Sequence, residues 1–347
     1  MSKTSERIKW LDIIKGICIL FVMLSHSYPP DDYQCFFTPF FISMFFFASG
    51  YTFSIKSGFK EFIIGKIYHL ICPLFLLGTV RILGMKLLGD IDLFESFKGL
   101  LLQISCQKDE MWFVSCLFTA SLLLYICIRI NKRILYKMNQ KVVLLCEAVL
   151  FGVMGYYIIL FMQVRIIWEF EIACIMFIYM ALGYLYKNSE VRYPQYTPFV
   201  LFFLYCAQLL LVKNDVDIHS EYFYNPIAFI VSSLLIIIPM IELAKYLERT
   251  IMVRPLVFLG QNSLFYFAFS GFVREIFRYV INIFGKLDSH IESLLCTLTM
   301  VVVLIIPAIM VNKYTPWLVG KYNFNFLPLK TKLKKLKSNC GRDIDVK

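Results

Sequence analysis

Long apolar runs recur along almost the whole chain, and their length limits the folds open to it. Crossing a hydrocarbon core of about 30 Å takes roughly 20 residues of helix. Runs of that order follow one another from Leu11 to Tyr314 with no polar gap wide enough for a soluble domain. Composition agrees: 59% of residues are hydrophobic and 17% charged, against about 25% charged in soluble domains. Candidate spans fall at residues 11–29, 36–55, 67–88, 111–130, 142–162, 166–186, 197–212, 225–244, 255–281 and 291–312. The expected fold is an all-α polytopic membrane protein of about ten transmembrane helices in one bundle. One transmembrane domain is expected over residues 1–320, followed by a basic cytoplasmic tail over 321–347.

Lys3, Arg7 and Lys9 precede the first run as in a secretory signal, but Asp12 and Lys15 interrupt it and "SHSYPPDD" offers no small-x-small cleavage site. The segment therefore reads as a retained first helix. The 11 cysteines lie mostly inside apolar runs, with no CxxC pair and no histidine at ligand spacing. They read as small core hydrophobes, and no metal site is expected. A net charge of +11 would suggest nucleic acid in a soluble protein; here the basic residues fall in loops, so a topological rule accounts for them. Loops carrying Lys56, Lys60 and Lys66, then Lys132, Arg133, Lys137 and Lys141, then Lys245, Arg249 and Arg254, alternate with acidic loops carrying Asp31 and Asp32, then Asp90, Asp92, Glu95, Asp109 and Glu110, then Asp215, Asp217 and Glu221. Short basic loops stay cytoplasmic, which places both termini in the cytoplasm of a multi-pass cell-membrane protein. No P-loop or GxGxxG motif is present.

The first run, "RIKWLDIIKGICILFVMLSHSY", places Asp12, Lys15 and His26 in an apolar helix. Ionisable groups inside a membrane are costly and mark cavities or substrate paths. At about 100° per residue, Lys15 and His26 lie within about 20° of each other, some 16 Å apart along the axis. Ile19 and Val22 fill the stripe between them. Asp12 is set about 60° from Lys15 on the same side, and at spacing i, i+3 it is expected to hold Lys15 in place.

The stretch "LDIIKGICILFVMLSH" resembles the N-terminal signature of the acyltransferase 3 family, in which ten residues separate a basic residue from a histidine. "PFFISMFFFASGYTF" at 39–53, "KIYHLICP" at 66–73, "MWFVSCLF" at 111–118, "FIYMALGYLYK" at 177–187 and "FLGQNSLFYF" at 258–267 resemble the same family in the same order. The pattern is similar to the branch that includes fucose 4-O-acetylase-like proteins. Lys15 stands where arginine is more usual, Lys66 and His69 where many members carry arginines, and Ser270 where many have a histidine.

The resemblance implies acyl transfer, usually of acetyl, from cytoplasmic acyl-CoA to a hydroxyl of a cell-surface or exported glycan. Acyl-CoA is a co-substrate, no permanently bound cofactor is expected, and membrane lipid and a glycan or lipid-linked saccharide are the other partners, with no nucleic acid. Lys15, Lys66 and His69 would then serve the polyanionic end of the donor. His26 would act as general base, suited by an ordinary imidazole pKa of about 6.5. Asn262, or backbone N–H groups near Gly50, would steady the oxyanion. An acceptor pocket is expected from Arg81, Glu110, Trp112, Glu169, Glu171 and Arg274, and Glu147 is expected to find a buried cation. His219 and His290 read as solvated loop residues. A transporter or lipid-linked glycan flippase, its charges lining a translocation path, is the alternative.

Overall fold

A computed structural model describes residues 7–321, apart from 28, 56–57, 90, 105–110, 213 and 286–287. The expected basic tail thus lies almost wholly outside the described residues, as do Asp109 and Glu110. The described chain is helical nearly throughout. Its α-helices are α1 (Lys9–His26), α2 (Asp31–Phe37), α3 (Phe41–Thr52), α4 (Phe59–Lys66), α5 (Cys72–Leu88), α6 (Leu93–Leu102), α7 (Trp112–Ile134) and α8 (Gln140–Tyr157). They continue with α9 (Phe170–Lys187), α10 (Thr197–Leu211), α11 (Pro226–Leu235), α12 (Ile237–Leu247), α13 (Val253–Gln261), α14 (Ser263–Phe284), α15 (Ser289–Val303) and α16 (Ile305–Tyr314). A two-stranded antiparallel hairpin, β1 (Val216–Asp217) with β2 (Tyr222–Phe223), links α10 to α11.

Prolines account for several breaks, because each lacks an N–H and crowds the carbonyl four residues back. Residues Ile67–Ile71 form a π-helical turn just before Pro73. Pro239 and Pro307 follow the breaks at Ile236 and Leu304. Among the described residues, seven helical stretches are long and apolar enough to cross a membrane, and an eighth if α13 and α14, which meet at an 84° bend, count as one span. That is fewer than the ten expected. The two stretches that fall short are α1, which carries Lys9, Asp12 and Lys15 in 18 residues, and α10, which has only 15.

The helices α1, α3 and α9 are buried along most of their length. α1 and α3 run antiparallel, with Trp10 meeting Tyr51 at 5.0 Å near one end and Phe21 stacking on Phe37 at 5.0 Å beyond the other. Two backbone-to-backbone contacts hold this centre. A Cβ on Gly50 would lie 1.9 Å from the Met180 carbonyl oxygen, and one on Gly183 would lie 2.0 Å from that of Phe47, so α3 and α9 touch through their glycines. Gly16 against the Leu256 oxygen (2.1 Å) and Gly260 against the Asp12 oxygen (1.8 Å) do the same for α1 and α13. Small residues drive such approaches in lipid, where apolar side chains gain little from leaving one another's company. Gly50 therefore serves packing: it lies inside α3, where its N–H belongs to the helical ladder, and the oxyanion role considered for it does not fit.

Gly260→Ala is expected to force α1 and α13 apart and cost at least ~1–3 kcal/mol. Gly65→Ala, where a Cβ meets nothing within 4 Å, is expected to gain ~0.5–1 kcal/mol from helix propensity. Thermal unfolding midpoints of the purified variants should therefore move in opposite directions.

Candidate functional site

Along α1, the buried face of Ile13, Ile14, Cys18 and Met23 fixes which residues are left for the adjacent stripe. Lys15, Ile19 and Val22 occupy it, and all line one cavity of about 200 Å³. Its walls come from Ile42, Phe45 and Ser49 of α3, Phe113 and Leu117 of α7, and Gly260, Gln261, Ser263 and Phe267 of the α13–α14 elbow. Arg7, Lys15 and Gln261 make one end polar; the lining toward Val22 is apolar. His26 continues the stripe one turn past Val22, half-buried, and its carbonyl accepts a 3.3 Å hydrogen bond from Arg274 Nη1.

The expected Asp12–Lys15 pair does not form. Asp12 accepts from Arg7 Nε at 2.6 Å and from Gln261 Nε2 at 3.2 Å. Arg7 reaches Asp12 from just before α1, and the Gly260 contact brings Gln261 of the elbow against the same carboxylate. Among the described residues, the Lys15 ammonium makes no hydrogen bond or ion pair and faces the cavity. Lys321, just after a short 3-10 turn at Pro316–Val319, folds back to this end. It donates to Asn262 Oδ1 at 2.8 Å and also to Asn312 Oδ1. Partial desolvation of its ammonium lowers the Lys321 pKa from 10.5 to about 8; Arg7 adds to the shift and Asp12 opposes it. Arg7, Lys15 and Lys321 thus gather around one carboxylate, leaving a surplus of positive charge at the mouth of an apolar cavity. Such a cavity can take an anionic group at its entrance and an uncharged chain within.

A family model described as an acyltransferase domain matches residues 8–311, a stretch that runs from the mouth of this cavity through α15 and most of α16. The chain belongs to the acyltransferase 3 family. No curated protein and no solved structure matches it. It is a multi-pass membrane acyltransferase, working in lipid on an acyl donor.

Several expected site residues of the acyltransferase lie elsewhere. Asn262 ends α13 at the bend; its Nδ2 donates to Phe258 O at 2.8 Å, and its Oδ1 is taken by Asn312 and Lys321. It sits at the level of Asp12, about 21 Å of helix from His26, so the two cannot serve one carbonyl. Lys66 donates to Ser121 Oγ at 3.0 Å between the rings of Phe53 and Phe62, away from the Lys15 cavity. His69 is exposed and hydrogen-bonds the Gly320 carbonyl. Glu147 accepts from the buried amide of Asn131 at 2.8 Å, where a cation was expected: the neighbouring turn of α7 offers a neutral donor that satisfies it without a second buried charge.

The expected acceptor residues divide into separate places. Trp112, Glu169 and Glu171 are buried together around the start of α7 and α9, and Glu171 accepts from the Ile166 N–H at 3.1 Å. Arg274 instead pairs with Glu275 at 2.9 Å beside the end of α1. Arg81 is half-buried on α5, and Glu110 lies outside the described residues. His219 is not solvated: it stacks on Trp112 with ring centroids 5.2 Å apart. Gln261, Asn312 and Lys321 went unforeseen because each meets the site through chain crossings, and Lys321 reads in sequence as one more basic residue of the tail; Arg7 is local to Asp12 but reads as one of the basic residues before the first run.

Because the folded protein gives up the Lys321 proton near pH 8 and the unfolded chain near 10.5, the unfolded state binds more protons between those values. Stability should therefore rise with pH across that window, as the cost of the partly desolvated charge, crowded by Arg7, is relieved. Thermal midpoints of the wild type minus those of Lys321→Gln should climb between pH 8 and 10 and stay level from pH 6 to 7.

Proposed function

We propose that this acyltransferase moves an acetyl group from acetyl-CoA, entering from the cytoplasm at the Arg7–Lys15 mouth, to a hydroxyl of a cell-surface or exported glycan. The observation that carries the reading is the Lys15 cavity, cationic at its mouth and apolar within, aligned on α1 with His26. Phosphates of the donor meet Lys15, Arg7 and Lys321, and the pantetheine arm runs inward past Ile19 and Val22. Both termini then lie in the cytoplasm and the membrane is that of the cell, in keeping with the basic loops.

In the transfer step His26 takes the proton of the acceptor hydroxyl while its oxygen attacks the thioester carbonyl. The carbon–sulfur bond breaks, and the thiolate of coenzyme A leaves and is then protonated. Histidine catalysis of this kind contributes typically ~10²–10⁴-fold. Lys66 is engaged by Ser121 and His69 by the Gly320 carbonyl, so the donor's phosphates are assigned to Lys15, Arg7 and Lys321.

The two ends of the stripe are separable by experiment. With labelled acetyl-CoA and membranes carrying the protein, Lys15→Ala should weaken donor binding, while His26→Ala should keep donor binding and lose transfer by ~10²–10⁴-fold. Equal label transfer by His26→Ala and wild type would sink the base assignment. Failure of any glycan to accept label would overturn the glycan as acceptor.

A further inference from the structure

On the other side of the acyltransferase from the Lys15 mouth, four residues other than glycine adopt left-handed backbone conformations around one place: Gln103 (φ 47°), Trp168 (φ 63°), Glu169 (φ 53°) and Glu221 (φ 57°). Such conformations cost free energy and persist where surrounding structure compels them. They are tied together: the Glu169 N–H donates to Gln103 O at 3.2 Å, Thr119 Oγ1 to Trp168 O at 3.0 Å, and Ser115 Oγ to Gln103 Oε1 at 3.1 Å. The result delivers the Glu169 carboxylate, fully buried, beside the face of Trp112.

That face is covered by the hairpin. His219, at its tip, lies parallel to the Trp112 indole, with 18° between the planes, and its Nδ1 is 4.0 Å from Glu169 Oε1. A flat ring on an indole with a hydrogen-bonding edge toward a carboxylate is also how a pyranose is held, its apolar C–H face on the aromatic ring and a hydroxyl on the acid. The His219 side chain, 24% exposed, is the movable part, because Val216, Ile218 and Phe223 anchor the hairpin in the core; its turn is closed by Ser220 Oγ on Asp217 Oδ2 at 2.6 Å, and Arg165 reaches Glu221 at 3.6 Å. The second oxygen of Glu221, also buried, accepts no hydrogen bond among the described residues, so this contact is only half used.

We propose that Trp112 and Glu169 form a pyranose subsite for the acceptor, and that His219 occupies it as a displaceable stand-in. The inference rests on the glycan-acceptor reading above and adds where the sugar docks and what it must displace. A sugar entering this subsite turns the His219 side chain out of it and takes both the indole face and the carboxylate.

The test uses the full chain in lipid nanodiscs free of glycoside detergent, with methyl α-pyranosides of glucose, galactose, mannose and fucose as probes in saturation-transfer NMR. His219→Ala should bind at least one pyranoside ~2- to 10-fold more tightly than wild type, the range set by losing one aromatic competitor. Trp112→Leu and Glu169→Gln should each lose that binding, with size-exclusion profiles and coenzyme A binding checked to show that each variant is folded. Equal affinity in His219→Ala and wild type, or no pyranoside bound by any form, overturns the subsite. Pyranoside binding that follows this pattern without acyl transfer to any glycan would leave the subsite standing and remove the acceptor reading. Lys15-dependent transfer to a glycan that ignores all three substitutions would do the reverse.

Discussion

Where α13 crosses α1 the two backbones touch, because Gly16 and Gly260 carry no side chains to hold them apart. From that contact the rest of the Lys15 end follows. It brings Gln261 to Asp12, whose carboxylate is already met by Arg7 five residues earlier in the chain. The ammonium of Lys15 is turned over to the cavity. The 84° bend at Asn262 then sends α14 away from α1's start, opening the space that Ser263, Leu264 and Phe267 line.

A charged group at mid-bilayer costs about 2.5–3.5 kcal/mol even by the gentlest scale. The protein bears this by placing Lys15 within the first turns of α1, against a mouth that also holds Asp12 and the amides of Gln261, Asn262 and Asn312. The other end of α1 is treated differently. There Arg274 of α14 reaches the His26 carbonyl and Ser27 Oγ donates to the Leu24 carbonyl at 2.7 Å, so that neutral and charged donors satisfy the free carbonyl end of the helix. One helix thus joins two polar places across an apolar stretch.

The helical, membrane-spanning character was legible because it depends on length and apolarity alone, and each of the ten expected spans meets helix in the structure even where α1 and α10 miss the length or charge threshold for crossing. Lys15, Ile19 and Val22 on one cavity wall were legible for a related reason, since residues four and three apart share a face. Asn262 was misjudged. Its motif position says nothing of the bend that points it at Asn312 and Lys321, 50 and 59 positions away in sequence. His219 was misjudged likewise, as a loop residue whose stacking partner comes from α7.

By itself the sequence determined the bilayer as solvent, the helices, the family and the stripe on α1, all of which follow from periodicities and patterns within a few turns of chain. Tertiary structure alone decided which donor each charged group would meet. Asp12 chose Arg7 and Gln261 over Lys15, Glu147 took a neutral amide, and Lys321 came back to Asn262. Those choices depend on how closely helices far apart in sequence approach one another. That distance is set by glycines at the crossings, not by the residues whose chemistry it directs.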